Sequence, residues 1–258
     1  MDVAAGLRLT VHVQILDSSD FGLRSARLVL RSLTSKVSIT LFPMIHLGEP
    51  AFFEAVYADA FAHDAVMVEG VRSPITKRVT RAYRWIMGAK QIALVVQPPY
   101  PSQAQSRAKI IHADLSGAEF EKLWAEVSIF LKVLVYLGAP VYAVYQRWFG
   151  TRASLAKGHT LDDLPSRKET MNWTPEFAAF DNAIMVERDK RLLAVLRSYL
   201  DEPSEEPRRL AIVYGAAHMR AVIREVTKHL GYYAAESDWM LIFSLDREEA
   251  PELSSGAG

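Results

Sequence analysis

The sequence of 258 residues contains no cysteine. This absence excludes a disulfide framework, a zinc site built on thiolates and a cysteine nucleophile. It also fits a reducing compartment, so we predict a cytoplasmic protein. Residues 1–6 contain no basic segment followed by an apolar run, and we therefore expect no secretory signal.

The chain also lacks an excess of charge of either sign. Its 30 Lys and Arg residues balance its 30 Asp and Glu residues, which removes the usual electrostatic signature of a nucleic-acid-binding protein. The basic stretch 77–84 is interpreted as a solvated helix face rather than a phosphate-binding patch. Half of the residues are hydrophobic and 23% are charged, which is typical of a globular protein with a substantial core.

Three sequence motifs of common enzyme families are missing as well. There is no Gly-x-Ser-x-Gly elbow, which argues against serine hydrolase chemistry. The glycine fingerprint of dinucleotide binding is absent. Because there is no His-Glu-x-x-His sequence, the chain is not a zincin.

Apolar β-branched runs alternate with helical patterns along most of the chain. Strands are predicted over 7–16, 37–45, 65–68, 92–96, 210–215 and 239–243, and helices over 21–33, 50–61, 74–87, from 119 onward, 176–200 and 219–230. This alternation predicts a single α/β domain over 1–245, with a central mixed β-sheet flanked by helices. We also predict a mainly helical insertion over about 116–175 and a frayed tail over 246–258.

The segment Ser128–Phe149 is almost wholly apolar. Its length is marginal for a membrane-spanning helix, which needs about 20 apolar residues. The sequence Gly138-Ala139-Pro140 in its middle predicts two shorter elements. We expect the segment to form core or a substrate lid, and its aromatic residues to serve in core packing more than in a pocket. Membrane contact through 128–149, with peripheral membrane association, is the alternative.

Two histidines and one glutamate follow apolar runs directly. His46 follows the run that begins at Leu41, Glu69 follows Ala65–Val68, and His218 follows the run that begins at Ile212. Such a pattern is typical of a buried strand whose end opens into a site. Two imidazoles and one carboxylate are sufficient for general-base or metal-assisted hydrolysis.

The sequence Gly215-Ala216-Ala217-His218 has small residues between a strand and a helix, which let backbone and ligand approach closely. A histidine at the N-terminus of a helix is favoured in its neutral form, which can ligate a metal, polarise a carbonyl or act as a base. The simpler interpretation is that His218 only caps the following helix.

Glu69 lies between Val68 and Gly70, where little favours its charge, so it needs a partner. Arg188 is the candidate partner. The alternative for Arg188 is a surface ion pair with Glu187, which would contribute little to stability. Asp114 or Ser116 is placed to cap the helix that begins near Glu119.

The order of these motifs resembles the TraB/TIKI superfamily. That group also includes the pheromone-shutdown proteins, and the erythromycin esterases and ChaN-like proteins are more distant relatives. Its signature is two Gly-x-x-His motifs, with a glutamate after the first and an arginine before the second. The matching residues here are Ile45-His46, Val68-Glu69, Glu187-Arg188-Asp189 and Gly215–His218. The first motif departs from the pattern because Pro43 occupies the glycine position.

The resemblance implies a metal-dependent, peptidase-like hydrolase that acts on a peptide or small-molecule substrate. His46, Glu69 and His218 would bind a divalent metal, or Glu69 would be the base, and Arg188 would hold a substrate carbonyl or carboxylate. Imidazole and carboxylate ligands are compatible with manganese, cobalt, iron or zinc. Two alternatives stay open, an esterase-type hydrolase without metal and a catalytically inactive ligand- or peptide-binding protein of the same fold.

Overall fold

The computed structural model describes residues 13–81, 92–157, 159–164 and 177–245. These residues form an α/β structure on a mixed eight-stranded sheet flanked by helices, as the sequence predicts. The strands are β1 Gln14–Ser19, β2 Gly22–Ser32, β3 Val37–Met44, β4 Leu47–Gly48, β5 Ala65–Val68, β6 Val95–Val96, β7 Lys109–His112, β8 Leu161–Asp162, β9 Arg208–Gly215 and β10 Tyr232–Ser244. The helices are α1 Pro50–Ala60, α2 Pro74–Thr80, α3 Gly117–Glu126, α4 Ile129–Phe149, α5 Arg152–Ala156, α6 Ala178–Asp181, α7 Glu187–Asp201 and α8 Met219–Lys228.

The half of the sheet made by β3, β9, β5 and β7 is parallel, in that order. Residues 210–214 of β9 are all buried, since this strand lies between two neighbours with both faces covered. Parallel strands end at the same edge of a sheet. The residues that follow β3, β5 and β9 therefore meet at one edge.

The other half of the sheet is antiparallel and corrects one prediction. Residues 21–33 have helical spacing, but Gly22–Ser32 is the strand β2, which pairs with β10 along its whole length. It also pairs with β1 and β3. The helix prediction is wrong because these ladder hydrogen bonds and the burial on both faces outweigh the local spacing.

The segment 128–149 corrects a second prediction. It forms the single helix α4, with Pro140 inside it, and not two elements separated by a break. Ser128 caps the helix by accepting a hydrogen bond from the Leu131 amide. A proline removes one backbone hydrogen bond, which a helix of 21 residues can absorb.

The segment is predicted to form core or a substrate lid, and the core part of that prediction is wrong for most of its side chains. Only Leu131, Ala143 and Gln146 of α4 are buried. Tyr136 packs against Trp124, while most other large apolar side chains of α4 are exposed.

The remaining predicted elements agree with the structure except at some ends. Helix α1 and strands β3, β5 and β9 lie where expected, and only Val95–Val96 is a strand within the predicted 92–96. Three helices occupy 117–156, within the predicted helical insertion. Predictions for 1–12, 82–91, 165–176 and 246–258 lie outside the described residues.

Replacing Ile212 by alanine tests the central position of β9. Its side chain is fully buried, so we expect Ile212→Ala to lower the free energy of unfolding by about 3 kcal/mol. The measurement is urea denaturation followed by far-UV circular dichroism. Leu33→Ala is the matched control, because Leu33 is 91% exposed and should change stability by less than about 0.5 kcal/mol. Equal losses in the two variants would contradict the central placement of β9.

Candidate functional site

The four residues predicted for the site all line one cavity of about 530 Å³. His46 follows β3, Glu69 follows β5, and His218 ends the 3-10 turn after β9. Because Met44 pairs with Gly215 and Val68 pairs with Val213, the three strands end at nearly the same level along the sheet. Arg188 reaches the same cavity from α7.

The rest of the cavity wall is mostly apolar. It includes Tyr142 from the exposed helix α4, and a third histidine, His159. The sequence interpretation of His159 as a loop residue missed this position, since no motif surrounds it. Further apolar wall residues are Leu16, Leu23, Met44, Leu155, Ile184 and Phe243.

Arg188 joins two carboxylates from neighbouring strands. Its Nη2 donates to Glu69 Oε1 at 2.6 Å and to Asp114 Oδ2 at 2.7 Å, and its Nε donates to Asp114 Oδ1 at 3.0 Å. The prediction that Arg188 is the partner of Glu69 is confirmed. Glu187 instead accepts from Lys190 at the surface.

Asp114 is a site residue that the sequence interpretation missed. The sequence places either Asp114 or Ser116 to cap α3, and the structure shows that Ser116 caps it by accepting from the Glu119 amide. Asp114 lies two residues after β7. The run before it, Ile110-Ile111-His112-Ala113, is interrupted by His112, and β7 is less buried than β5, so the sequence signal at Asp114 is weaker than that at Glu69.

The charges in this cluster stabilise one another. Burial opposes ionisation of Asp114, but the hydrogen bonds and the charge of Arg188 outweigh burial and hold the pKa of Asp114 below its usual range. Burial likewise disfavours the Arg188 cation, yet Asp114 and Glu69 together raise its pKa. The Arg188 side chain is 12% exposed and that of Asp114 is 2% exposed. The cluster is therefore a buried ion network and not a surface pair.

Glycine at position 215 is required by the close approach of Glu69. The Gly215 amide donates to Glu69 Oε2. A Cβ atom at Gly215 would lie 2.9 Å from Glu69 Oε2 and 3.4 Å from His218 Cδ2. Both oxygens of Glu69 are therefore bonded by the protein, one to Arg188 and one to β9.

His218 is held by a carboxylate that the sequence analysis gave no role. Its Nδ1 lies 2.6 Å from Asp189 Oδ1, and its ring packs edge-on against Tyr214. With a proton on Nδ1 donated to Asp189, Nε2 is left to act as a base or a ligand. His218 occupies the N-cap position of α8, but its side chain makes no capping hydrogen bond and is oriented by Asp189 and Tyr214 instead.

His46 lies between β3 and β4, and its carbonyl accepts from the Gln97 amide. Pro43 lies inside β3 and pairs in register with Tyr214, so the chain stays extended up to Met44. This explains why a proline is accepted where the resembling family has a glycine. The chain makes no turn at this position.

The metal site implied by the resemblance fits this arrangement only in part. Imidazole and carboxylate are suitable donors, but both Glu69 oxygens already bind protein groups. Within 13–81, 92–157, 159–164 and 177–245, no group of three His, Asp or Glu side chains is arranged to hold a metal ion. Metal binding by His46, Glu69 and His218 stays a prediction.

Comparison of the chain with protein-family models, with curated proteins and with solved structures found no match. The similarity to the TraB/TIKI superfamily therefore depends only on the motifs quoted above, and membership stays a prediction.

Replacing Arg188 by methionine should leave two carboxylates without their cation. Removing one partner from a buried ion network costs about 3–5 kcal/mol, so we expect a loss of this order at pH 7. In the unchanged protein, the pKa of Asp114 is lower in the folded state than in the unfolded state, where it is about 3.9. The stabilisation that results is fully present above the unfolded-state pKa, and it is lost as the pH falls through the folded-state pKa.

Without Arg188, burial should raise the pKa of Asp114. The stability gap between Arg188→Met and the unchanged protein should therefore narrow as the pH falls from 7 toward 4, measured by urea denaturation at each pH. Arg191→Met is the control, because Arg191 is exposed on the same helix. A gap independent of pH would contradict the ion network.

Proposed function

We propose that the cavity is the active site of a hydrolase in which His218, oriented by Asp189, activates water. The observation that carries this proposal is the 2.6 Å contact between His218 Nδ1 and Asp189 Oδ1 at the cavity wall. A base that is itself oriented by a carboxylate is a recurrent arrangement in general-base catalysis.

In the proposed reaction, His218 Nε2 accepts a proton from a water molecule. The hydroxide attacks the carbonyl carbon of an ester or amide, and the imidazolium then gives the proton to the leaving group. The products are a carboxylic acid and an alcohol or amine, so atoms and protons balance. His46, which lines the same cavity, is the group we assign to hydrogen-bond the carbonyl oxygen or the leaving group.

We assign Arg188 a positioning role, which differs from the role that the resemblance implies. Its Nη2 and Nε bind Glu69 and Asp114, and its Nη1 faces the Ile184 carbonyl at 3.4 Å. The guanidinium is therefore committed to protein groups. It holds Glu69 beside Gly215, and it fixes the helix that carries Asp189.

The substrate class proposed from the cavity is a small ester or peptide with an apolar acyl group. A cavity of about 530 Å³ is within the range of small-molecule sites. Because the donor set fits a metal only in part, we assign no step to a metal. The dependence of the hydrolytic activity on manganese, cobalt, iron or zinc is left to experiment.

His218→Ala tests the base. We expect kcat to fall by about 10²–10⁴-fold, the usual contribution of a general base, on p-nitrophenyl esters or fluorogenic peptides. His229→Ala is the control, because His229 is exposed at the end of α8. Metal analysis and chelation are done on the same preparations. If a chelator abolishes the hydrolytic activity and one divalent ion restores it, the reaction is metal-dependent.

If no ester or peptide is hydrolysed, while a ligand still binds the cavity and is lost in His218→Ala, the hydrolase proposal is wrong. The catalytically inactive binding protein is then the correct interpretation.

Asp189→Asn tests the orienting carboxylate. We expect kcat to fall by about 10²-fold or more with KM nearly unchanged, because Asp189 acts through His218 and does not touch substrate. Asp189→Glu should restore part of kcat. Glu187→Gln, two residues away and paired with Lys190, should leave both constants unchanged. A change in KM alone would mean that Asp189 contacts substrate.

A further inference from the structure

Helix α4 exposes a broad apolar surface, here called the α4 face. Its side chains are between 39% and 76% exposed. They are Ile129, Phe130, Val133, Leu134, Leu137, Val141, Tyr142, Val144, Tyr145, Trp148 and Phe149. Such a large contiguous apolar patch marks a site of interaction.

The width of the α4 face indicates what kind of surface covers it. At 100° per residue, these positions span about 220°, or roughly three fifths of the helix circumference. A partner helix covers a narrower stripe of positions three and four apart. A flat, fluid apolar surface covers a broad face without leaving its edges exposed.

Charge around the α4 face favours an anionic surface. Helix α4 contains Arg147 and no acidic residue, and the ammonium of its Lys132 donates to the Ala125 carbonyl at 3.0 Å. The exposed Glu126 precedes the helix, so the basic side chains that border the face are Arg147 and those of α2. Helix α2 packs beside it, with the Arg78 guanidinium 5.4 Å from the centre of the Tyr136 ring, and both Lys77 and Arg78 are exposed there. Apolar and aromatic side chains bordered by basic ones are typical of helices that lie in the interface of anionic membranes.

The residues that flank α4 indicate whether this helix would lie on a membrane or cross it. Among the described helices, α4 is the one that is long and apolar enough to cross a membrane. However, Trp124 just before it packs in the protein, and Arg152 just after it is buried with its Nη1 at 2.5 Å from Glu49 Oε1. Crossing a bilayer would place these two anchors on opposite sides, which the folded domain does not permit.

We propose that the α4 face docks the protein on a bilayer containing anionic phospholipid, with the helix lying at the boundary between headgroups and acyl chains. Trp148 and Tyr145 are side chains of the type that favours this boundary. Because Tyr142 also lines the cavity, docking places the cavity beside the bilayer. The docking proposal does not depend on hydrolysis at that cavity.

The test is co-sedimentation of the full chain with 100-nm vesicles of phosphatidylcholine alone or mixed with phosphatidylserine. We expect binding to the anionic vesicles, weakened by high salt. The double variant Leu137→Asp/Val141→Asp should reduce binding at least tenfold. Lys77→Gln/Arg78→Gln should reduce it by about 25-fold, since each of the two basic residues near such a surface contributes about fivefold.

Leu33→Asp is the matched control, because Leu33 is exposed but remote in sequence from α4 and α2. It should bind as the unchanged protein does, and unfolding free energies confirm that every variant is folded. Three results would overturn the proposal. These are no binding to anionic vesicles, a dimer in sedimentation velocity that only the double variant dissociates, or resistance to carbonate extraction.

Discussion

The guanidinium of Arg188 between Glu69 and Asp114 is the interaction on which the site depends. Buried carboxylates at the ends of two parallel strands must be paired, because an unpaired charge in this position is strongly unfavourable. Arg188 satisfies both and in doing so fixes α7 against the edge of the sheet. Asp189 is the next residue on α7, so the same contact sets the distance between Asp189 and His218.

Two consecutive residues of α7, Arg188 and Asp189, bind different partners. Residues 182–186 form a π-helical turn directly before Glu187, and such turns are frequent at functional sites. Consecutive helical residues point about 100° apart. Arg188 therefore reaches the β5 and β7 ends while Asp189 reaches His218 after β9. Glycine at 215 completes the arrangement, since any side chain there would collide with Glu69.

The convergence of His46, Glu69 and His218 could be predicted because buried parallel strands are continuous apolar runs, and an ionisable residue marks where each run ends. Arg188 lies on a helix and carries no such signal, so it is predicted only as the cation that a buried Glu69 needs and through the resemblance. Asp114 carries a weaker form of this signal, because His112 interrupts the run before it, and it is also placed to cap the following helix. Asp189 could not be identified as the partner of His218, because the chain does not reveal which helix faces which strand end. The helix prediction for β2 is wrong because the spacing of its apolar residues fits both the helical and the strand periodicity. Only the pairing with β10 shows that the segment is a strand.

The error at α4 has a different physical origin. An apolar segment of this length must be covered, and the expectation of a buried core assumed that the chain itself supplies the cover. The described residues cover only a narrow face of α4, through Leu131, Ala143 and Gln146. Sequence reports how much apolar surface a helix has, but not what lies against it. The basic side chains of α2 beside α4 became visible only in three dimensions, and they make a lipid surface the cover that fits both the shape and the charge of this face.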